Sequence, residues 1–452
     1  MSLSPPSSSP SHPSRRAVLS GLGATAAAAA LPGCGPETSD RSSAALSFWQ
    51  FFAPRGASAA QNEWFDRLVT QWNQNNEAQV RLQFVPNSQY VGGPKLQTAF
   101  SAEDGPDVFV VSPGDFLRYS NGGVLEDLSP HMTPEAREDF YPDLLASRAV
   151  DEAIYALPMG GGPMAMYYSV PAFEQAGLSE GDIPATWDQL LDVADKLTTD
   201  EQFGLVVDTS PTYYQNFTFY PFLWMAGGGI PGHQNPQGDF DSQGAIAALT
   251  LWQEMIESGV APRTLLGESG SDIVSNLGSG YCAMQNAGMW GVSALAAGSP
   301  DLEYGVFRLP VPDDGEYVTA TGGWAFAANA RGRDPDAAAR FCVWALGSMD
   351  EESIGRVASW CLEAQSYLPY RRSATEHATQ QGFFDDGPMR TFRDEIFPGA
   401  LGEPRLPSEM NKLISDAIQA CQLTGKDPAE VAGTAQEGME NLLAAYDGAP
   451  LA

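Results

Sequence analysis

From Leu46 onward, apolar and polar positions fall into short blocks that alternate between a strand-like and a helix-like period. Residues 46–52 are an apolar and aromatic run of strand length. Ser58-x-x-Gln61 has the form of a capping box, and Trp64, Phe65, Leu68, Val69 and Trp72 then recur at helical spacing. Val80, Leu82 and Phe84 alternate as a strand, closed by Pro86. Residues 95–102 suit a helix, and Asp107-Val-Phe-Val-Val111 is a continuous apolar run of the kind a buried parallel strand shows. This β-α-β-α-β opening predicts an α/β domain with a parallel sheet. Later signals repeat the scheme. Thr186-x-x-Gln189 is a second capping box ahead of Leu190, Leu191, Val193, Ala194 and Leu197. Asp334-Pro335 places a cap and a first-turn proline before a helix that stops at Gly347, and Asp427-Pro428 repeats the device for the last helix. No period of about 20–50 residues recurs, which excludes a solenoid or propeller. Gly160-Gly161-Gly162-Pro163, Gly322-Gly323 and residues 365–369 interrupt the pattern and are candidate crossing points between two lobes; two beads on one string is the alternative.

The first 45 residues read differently. Residues 1–14 are nearly all Ser and Pro. Ser14-Arg15-Arg16-Ala17-Val18-Leu19 follows, then an alanine-dominated apolar run over 22–31 and Leu31-Pro32-Gly33-Cys34. A charged start, an apolar segment of this length and a small-residue end form an export signal and not a membrane span. The arginine pair resembles a twin-arginine signal, and Leu-x-Gly-Cys resembles the lipobox of lipoproteins, which implies that Cys34 carries a lipid. Residues 35–45 are then a Ser-rich tether. Gly21-Leu-Gly-Ala-Thr-Ala26 mimics a dinucleotide-binding fingerprint but has no strand before it, so it is discarded.

Charge narrows the function. The chain carries 56 acids against 24 Lys and Arg, a net charge of −32. A protein that coats nucleic acid, or sits by charge on an anionic membrane, needs the opposite sign. Five cysteines without a CxxC exclude a zinc-ribbon or iron–sulfur framework. Cys282, Cys342, Cys361 and Cys421 allow three disulfide connectivities or none. His12, His131, His233 and His377 show no metal-binding spacing, and neither a G-x-S-x-G elbow nor a Walker motif occurs. The acids supply many pairs, and only three-dimensional separation decides whether one is placed for glycoside hydrolysis. Of ten tryptophans, Trp49, Trp290 and Trp324 lie in segments punctuated by Gly, Pro or Ser, where an indole can offer a flat apolar face to a carbohydrate ring.

With these residues in view, the chain resembles the extracellular solute-binding proteins of ABC importers, the carbohydrate-binding family that includes maltose-binding proteins. The resemblance rests on ordered motifs. Pro106-Asp-Val-Phe-Val-Val-Ser112 comes first, with Asp115-Phe-Leu-Arg-Tyr119 and Gly123-Val-Leu-Glu-Asp-Leu128. Ile154-Tyr-Ala-Leu-Pro158, Met166-Tyr-Tyr-Ser169 and Phe173-Glu-Gln-Ala-Gly-Leu178 follow, then Pro184-Ala-Thr-Trp-Asp-Gln-Leu-Leu191. Gly280-Tyr-Cys-Ala-Met284, Gly288-Met-Trp290 and Thr319-Ala-Thr-Gly-Gly-Trp324 complete the series.

The resemblance implies an α/β, two-lobed periplasmic-binding-protein fold of type II, each lobe a mixed, mostly parallel sheet flanked by helices. Lobe one comprises 45–158 and 320–362, lobe two 159–319 and 363–452. It places Trp49 and Gln50 on the loop after the first strand, and Asp115 and Tyr119 on the loop after the Val108–Val111 run. Tyr220, Trp290, Gly323 and Trp324 fall at ligand positions, with Glu363 and Arg371 near the last crossing. It implies no catalysis, cofactor or metal. The partners would be a carbohydrate and the ABC permease with its ATPase, the protein being a monomer held by its lipid on the outer face of the cytoplasmic membrane. The rivals are an exported glycan hydrolase or lyase, and the same fold with a non-sugar cargo.

Overall fold

The computed structural model describes residues 45–52, 58–91, 94–232, 239–267, 270–385 and 387–451. The export signal, Cys34, nearly all of the tether, His12 and His233 lie outside the described residues. Thirteen strands are described. The first six are β1 (Leu46–Gln50), β2 (Val80–Phe84), β3 (Val108–Val111), β4 (Ala149–Val150), β5 (Ala153–Ile154) and β6 (Ala156–Pro158). β7 (Gly162–Ser169), β8 (Phe203–Val206), β9 (Cys282–Gly288) and β10 (Tyr304–Phe307) follow, then β11 (Thr319–Gly322), β12 (Ala325–Ala328) and β13 (Ala400–Gly402).

Two sheets organise the fold. The first runs β2-β1-β3-β12-β6, and the second β13-β11-β7-β9-β8 with β10 also on β7. The β-α-β-α-β opening forms as expected, with β1 parallel to both β2 and β3. β12 then enters antiparallel between β3 and β6. In the second sheet β8–β9 and β11–β13 are parallel, whereas β7 is antiparallel to β9, β10 and β11. The parallel share is therefore smaller than the resemblance implies. A strand entered from the other lobe needs no crossover helix and runs back antiparallel.

Helices cover the sheets through the periodic faces seen in the sequence. Helix Ala59–Asn75 buries Trp64, Phe65, Leu68 and Trp72. Phe65 meets Phe48 of β1 at 5.9 Å, and Phe48 meets Phe326 of β12 at 4.8 Å, both edge-to-face, the preferred aromatic geometry. Both halves of the Thr186–Gln189 capping box form at helix Trp187–Leu197. At Ser58 only half forms: Ser58 Oγ accepts from Gln61 N, but the Gln61 amide donates instead to Gln365 Oε1, 304 residues away. Asp334 and Asp427 cap helices Pro335–Leu346 and Pro428–Ala445 as predicted. Cys282, Cys342, Cys361 and Cys421 are all buried and unpaired.

The sheets are joined by three crossings: residues 159–161 between β6 and β7, Gly323 and Trp324 between β11 and β12, and residues 365–371. Thr319–Gly322 pairs in the second sheet, so the second crossing falls a few residues later than the boundary at 320. The crossings pack backbone against backbone. Gly161 and Leu368 exchange both hydrogen bonds, at 3.1 and 2.8 Å. A Cβ on Gly323 would collide with the Gly160 carbonyl, and one on Gly161 with the Tyr370 hydroxyl and the Gly322 carbonyl. Glycine is required there by proximity.

Candidate functional site

A cavity of about 520 Å³ opens where the carboxyl ends of strands from both sheets converge. Phe51 and Phe52 follow β1, Phe84 ends β2 with Pro86 and Asn87 just beyond, and Ser112 follows β3. From the other sheet come Ser210 and Thr212 beyond β8, Trp290 beyond β9, Gly322 at the end of β11 and Glu403 beyond β13. The carboxyl ends of parallel strands are where open α/β sheets bind ligands, because side chains and amide groups there are not consumed by the sheet.

The walls are aromatic on both sides. Phe51 meets Trp324 edge-to-face at 4.7 Å. Opposite, Tyr214 and Phe217 of helix Tyr213–Met225 surround Trp290 at 6.1 and 6.5 Å. Tyr367 and Gln365 of the third crossing also line the cavity. Among the described lining residues the ionisable side chains are Asp272, Glu403 and two tyrosines; Lys, Arg and His are absent. Such a site suits a neutral polyhydroxylated ligand, with ring faces against the aromatics and hydroxyls toward Ser, Thr, Asn and Gln.

The sequence candidates divide between the cleft and its surroundings. Trp290, Gly323 and Trp324 line the cavity. Trp49 and Gln50 lie within β1 and not on the loop after it, a correction that follows from strand pairing as far as Gln50↔Phe84. Lys95 sits over the Trp49 ring, and the buried Gln50 amide oxygen accepts from Phe52 N. Asp115 and Tyr119 are also corrected: they belong to helix Pro113–Asn121, because Ser112 and Pro113 start a helix directly after β3. Asp115 pairs with Arg118 at 3.2 Å, and Tyr119 packs against Phe100 and Phe109. Tyr220 is buried and stacks on Trp224. The exposed Glu363 lies 3.9 Å from Arg67. Arg371 is fully buried on Asp139 at 2.7 Å.

Several cleft residues carry no sequence signal of the kinds used above. Tyr214, Phe217 and Glu403 are ordinary residue types, distinguished only by standing on the inner face of a helix or beyond a strand end; Phe51, Phe52 and Ser112 fall inside the strand-like run and the motif noted above but are not singled out there. Helix Tyr213–Met225 is apolar nearly all round and holds Pro221, so no period marks it. Ser112 Oγ and Tyr214 OH are buried with no hydrogen-bond partner among the described residues, as is Asp208 Oδ2 beyond β8. Burial raises Glu403 to about 8, with Asp115 adding to the rise while Arg148 and the Gly114 amide oppose it. Burial likewise lifts Asp115 to about 6 despite Arg118.

Several known proteins are similar to this chain. A binding protein of Brucella abortus is 25% identical over 223 residues, covering 49% of this chain and 53% of the relative. The galactooligosaccharide-binding protein of Bacillus subtilis is 22% identical, over 56% of this chain and 58% of its own. The chain thus aligns with little more than half the length of these relatives. An ABC transporter solute-binding protein of Thermotoga lettingae, solved with α-D-tagatose, superposes with a TM-score of 0.74 at 22% identity, covering 88% of this chain and 99% of that one. The shared fold is the two-lobed periplasmic-binding-protein fold of type II. The model of the bacterial extracellular solute-binding protein family matches residues 56–351, well over half of the sequence, and the chain belongs to that family.

Proposed function

We propose that this protein is the substrate-binding component of an ABC importer, capturing a neutral sugar, oligosaccharide or polyol between its lobes for delivery to a membrane permease. The observation that carries the reading is the cleft: aromatic walls on both sides, residues of the second and third crossings in its lining and no cationic side chain among its described lining residues. A phosphorylated cargo would need cationic partners there. Family membership supports a place outside the cytoplasm, and the signal over residues 1–34 supports export with Cys34 as the lipid anchor. Trp290, Trp324 and Gly323 are the proposed ligand contacts taken from the sequence, joined by Phe51, Tyr214 and Phe217. Trp49, Gln50, Asp115, Tyr119, Tyr220 and Arg371 are not proposed as contacts, since they stand outside the cavity lining, while Glu363 stays at the surface. Ligand bridging the lobes gives the closed form contacts that the open form lacks, so binding shifts the population toward closure. No bond in the ligand is broken.

The test is thermal unfolding of residues 45–452 with tagatose, erythritol, maltotriose, galactooligosaccharides and glycerol phosphate. A ligand at about 100 times its dissociation constant adds about 2.7 kcal/mol, which raises the midpoint by a few degrees in a chain of this size. The expected result is stabilisation by one neutral class, with the sugar recovered intact. A cleaved sugar overturns the binding-protein reading, and stabilisation by glycerol phosphate alone overturns the neutral cargo.

A further inference from the structure

Glu403 stands apart from every other residue of the cleft. It follows β13, and its backbone N–H donates to Thr321 O of β11 at 2.8 Å, which fixes it at the end of the second sheet. Its side chain turns into the cavity floor, where a Cβ on Gly322 would lie 2.8 Å from Glu403 Oε2. The absence of a side chain at Gly322 is what leaves the carboxyl room. Although it lines the cavity, Glu403 is only 7% exposed.

Its surroundings come from both lobes. From the first, the Gly114 amide in helix Pro113–Asn121 donates to the carboxyl, Asp115 repels its charge and Arg148 attracts it. Arg148 is itself committed: its guanidinium donates to Gly323 O at 2.6 Å and to Leu144 O at 2.9 Å. From the second lobe and the third crossing, the hydroxyls of Tyr220, Tyr367 and Tyr370 lie close enough to feel the Glu403 charge. One oriented guanidinium and one amide do not replace the water that burial removes, and Asp115 adds a second acid. The neutral form is the one this site holds at neutral pH, with a hydroxyl to donate.

We propose that Glu403 is the polar contact of the cleft floor, donating a hydrogen bond from its protonated carboxyl to a ligand hydroxyl, and that ligand capture is thereby linked to proton uptake. The inference rests on the reading of this cleft as a sugar site and adds the chemistry of its floor. A ligand covers the part of the carboxyl that is still exposed, which disfavours the charged form further, so proton binding and ligand binding reinforce each other.

The experiment is isothermal titration calorimetry with the sugar that stabilises most in the unfolding panel, in buffers of different ionisation enthalpy. At about pH 8.5, where the carboxyl is largely ionised in the free protein, wild type takes up most of one proton per ligand. Glu403→Gln takes up none, and its affinity loses the pH slope. Glu403→Ala binds at least about tenfold more weakly at neutral pH, with its thermal midpoint measured beside it to separate binding from folding. A wild type that takes up no proton, or a Glu403→Gln protein with the wild-type slope, overturns the proposal. If no panel sugar binds, the sugar reading fails separately, and infrared difference titration of the ligand-free protein decides the floor. A carboxyl band that titrates near pH 8 in wild type and vanishes in Glu403→Gln upholds the protonated acid; a floor without such a band overturns it.

Discussion

Arg371, which the resemblance places near the last crossing, is held by the protein itself and not by the cleft. Its guanidinium is fully buried, bonded to Asp139 Oδ2 at 2.7 Å, Leu346 O at 3.0 Å and Ser348 O at 2.9 Å. Ser373 N and Oγ complete the shell of Asp139. Breaking a buried, well-bonded pair leaves an uncompensated charge, so Arg371→Ala is expected to lose about 3–5 kcal/mol of stability in urea unfolding. Asp139 and Glu403 give pH dependences of opposite sign. The serine and arginine partners hold Asp139 below the ordinary carboxylate range, so its contribution is present above that range and lost as pH falls through its lowered value. Glu403 is raised to about 8, so the folded protein holds a proton that the unfolded chain releases near the ordinary value. Stability is therefore lost as pH rises toward about 8, and Glu403→Gln flattens the profile over that window. Denaturation midpoints at several pH values, compared between wild type and Glu403→Gln, check the sign; parallel profiles count against the buried acid.

At the level of elements, legibility followed local physics. The β-α-β-α-β opening, the Thr186 box and the Asp-Pro starts depend on residues within one turn or strand, and each forms where the pattern puts it. The Ser58 box is half formed because a contact 304 residues away competes for Gln61, and local spacing carries no trace of Gln365. Strand length was harder to read. β1 runs through Gln50, which moves Trp49 into the sheet and gives the cleft Phe51 instead. Trp290 and Trp324 were legible because glycines beside them mark strand ends. The glycines of the crossings also yield a prediction. Gly323 meets the Gly160 carbonyl with no space for a Cβ, and the obstacle is backbone with no rotamer to change. Gly323→Ala is expected to force the first two crossings apart, lowering the thermal midpoint and weakening sugar binding together. A variant with wild-type midpoint and affinity would mean that the crossings slide freely.

At the scale of the whole molecule, the dominant quantity is charge: 56 acids against 24 Lys and Arg, a net −32. The described ion pairs are few, and most involve solvent-exposed partners, such as Lys412–Asp416 and Arg340–Asp336, a class worth little individually. Most acids therefore repel one another without local compensation, and this self-repulsion opposes the compact state. Raising ionic strength shortens the screening length from about 10 Å at 0.1 M to about 3 Å at 1 M, which removes repulsion between neighbouring acids. The buried Arg371–Asp139 pair is shielded from solvent and is screened much less. The balance predicts that the thermal midpoint rises by several degrees between about 0.1 and 1 M sodium chloride, beyond what an uncharged osmolyte of equal osmolality gives. A midpoint that falls with salt would mean that ion pairing outweighs repulsion, and that the acidic surface is locally compensated despite the excess of acids.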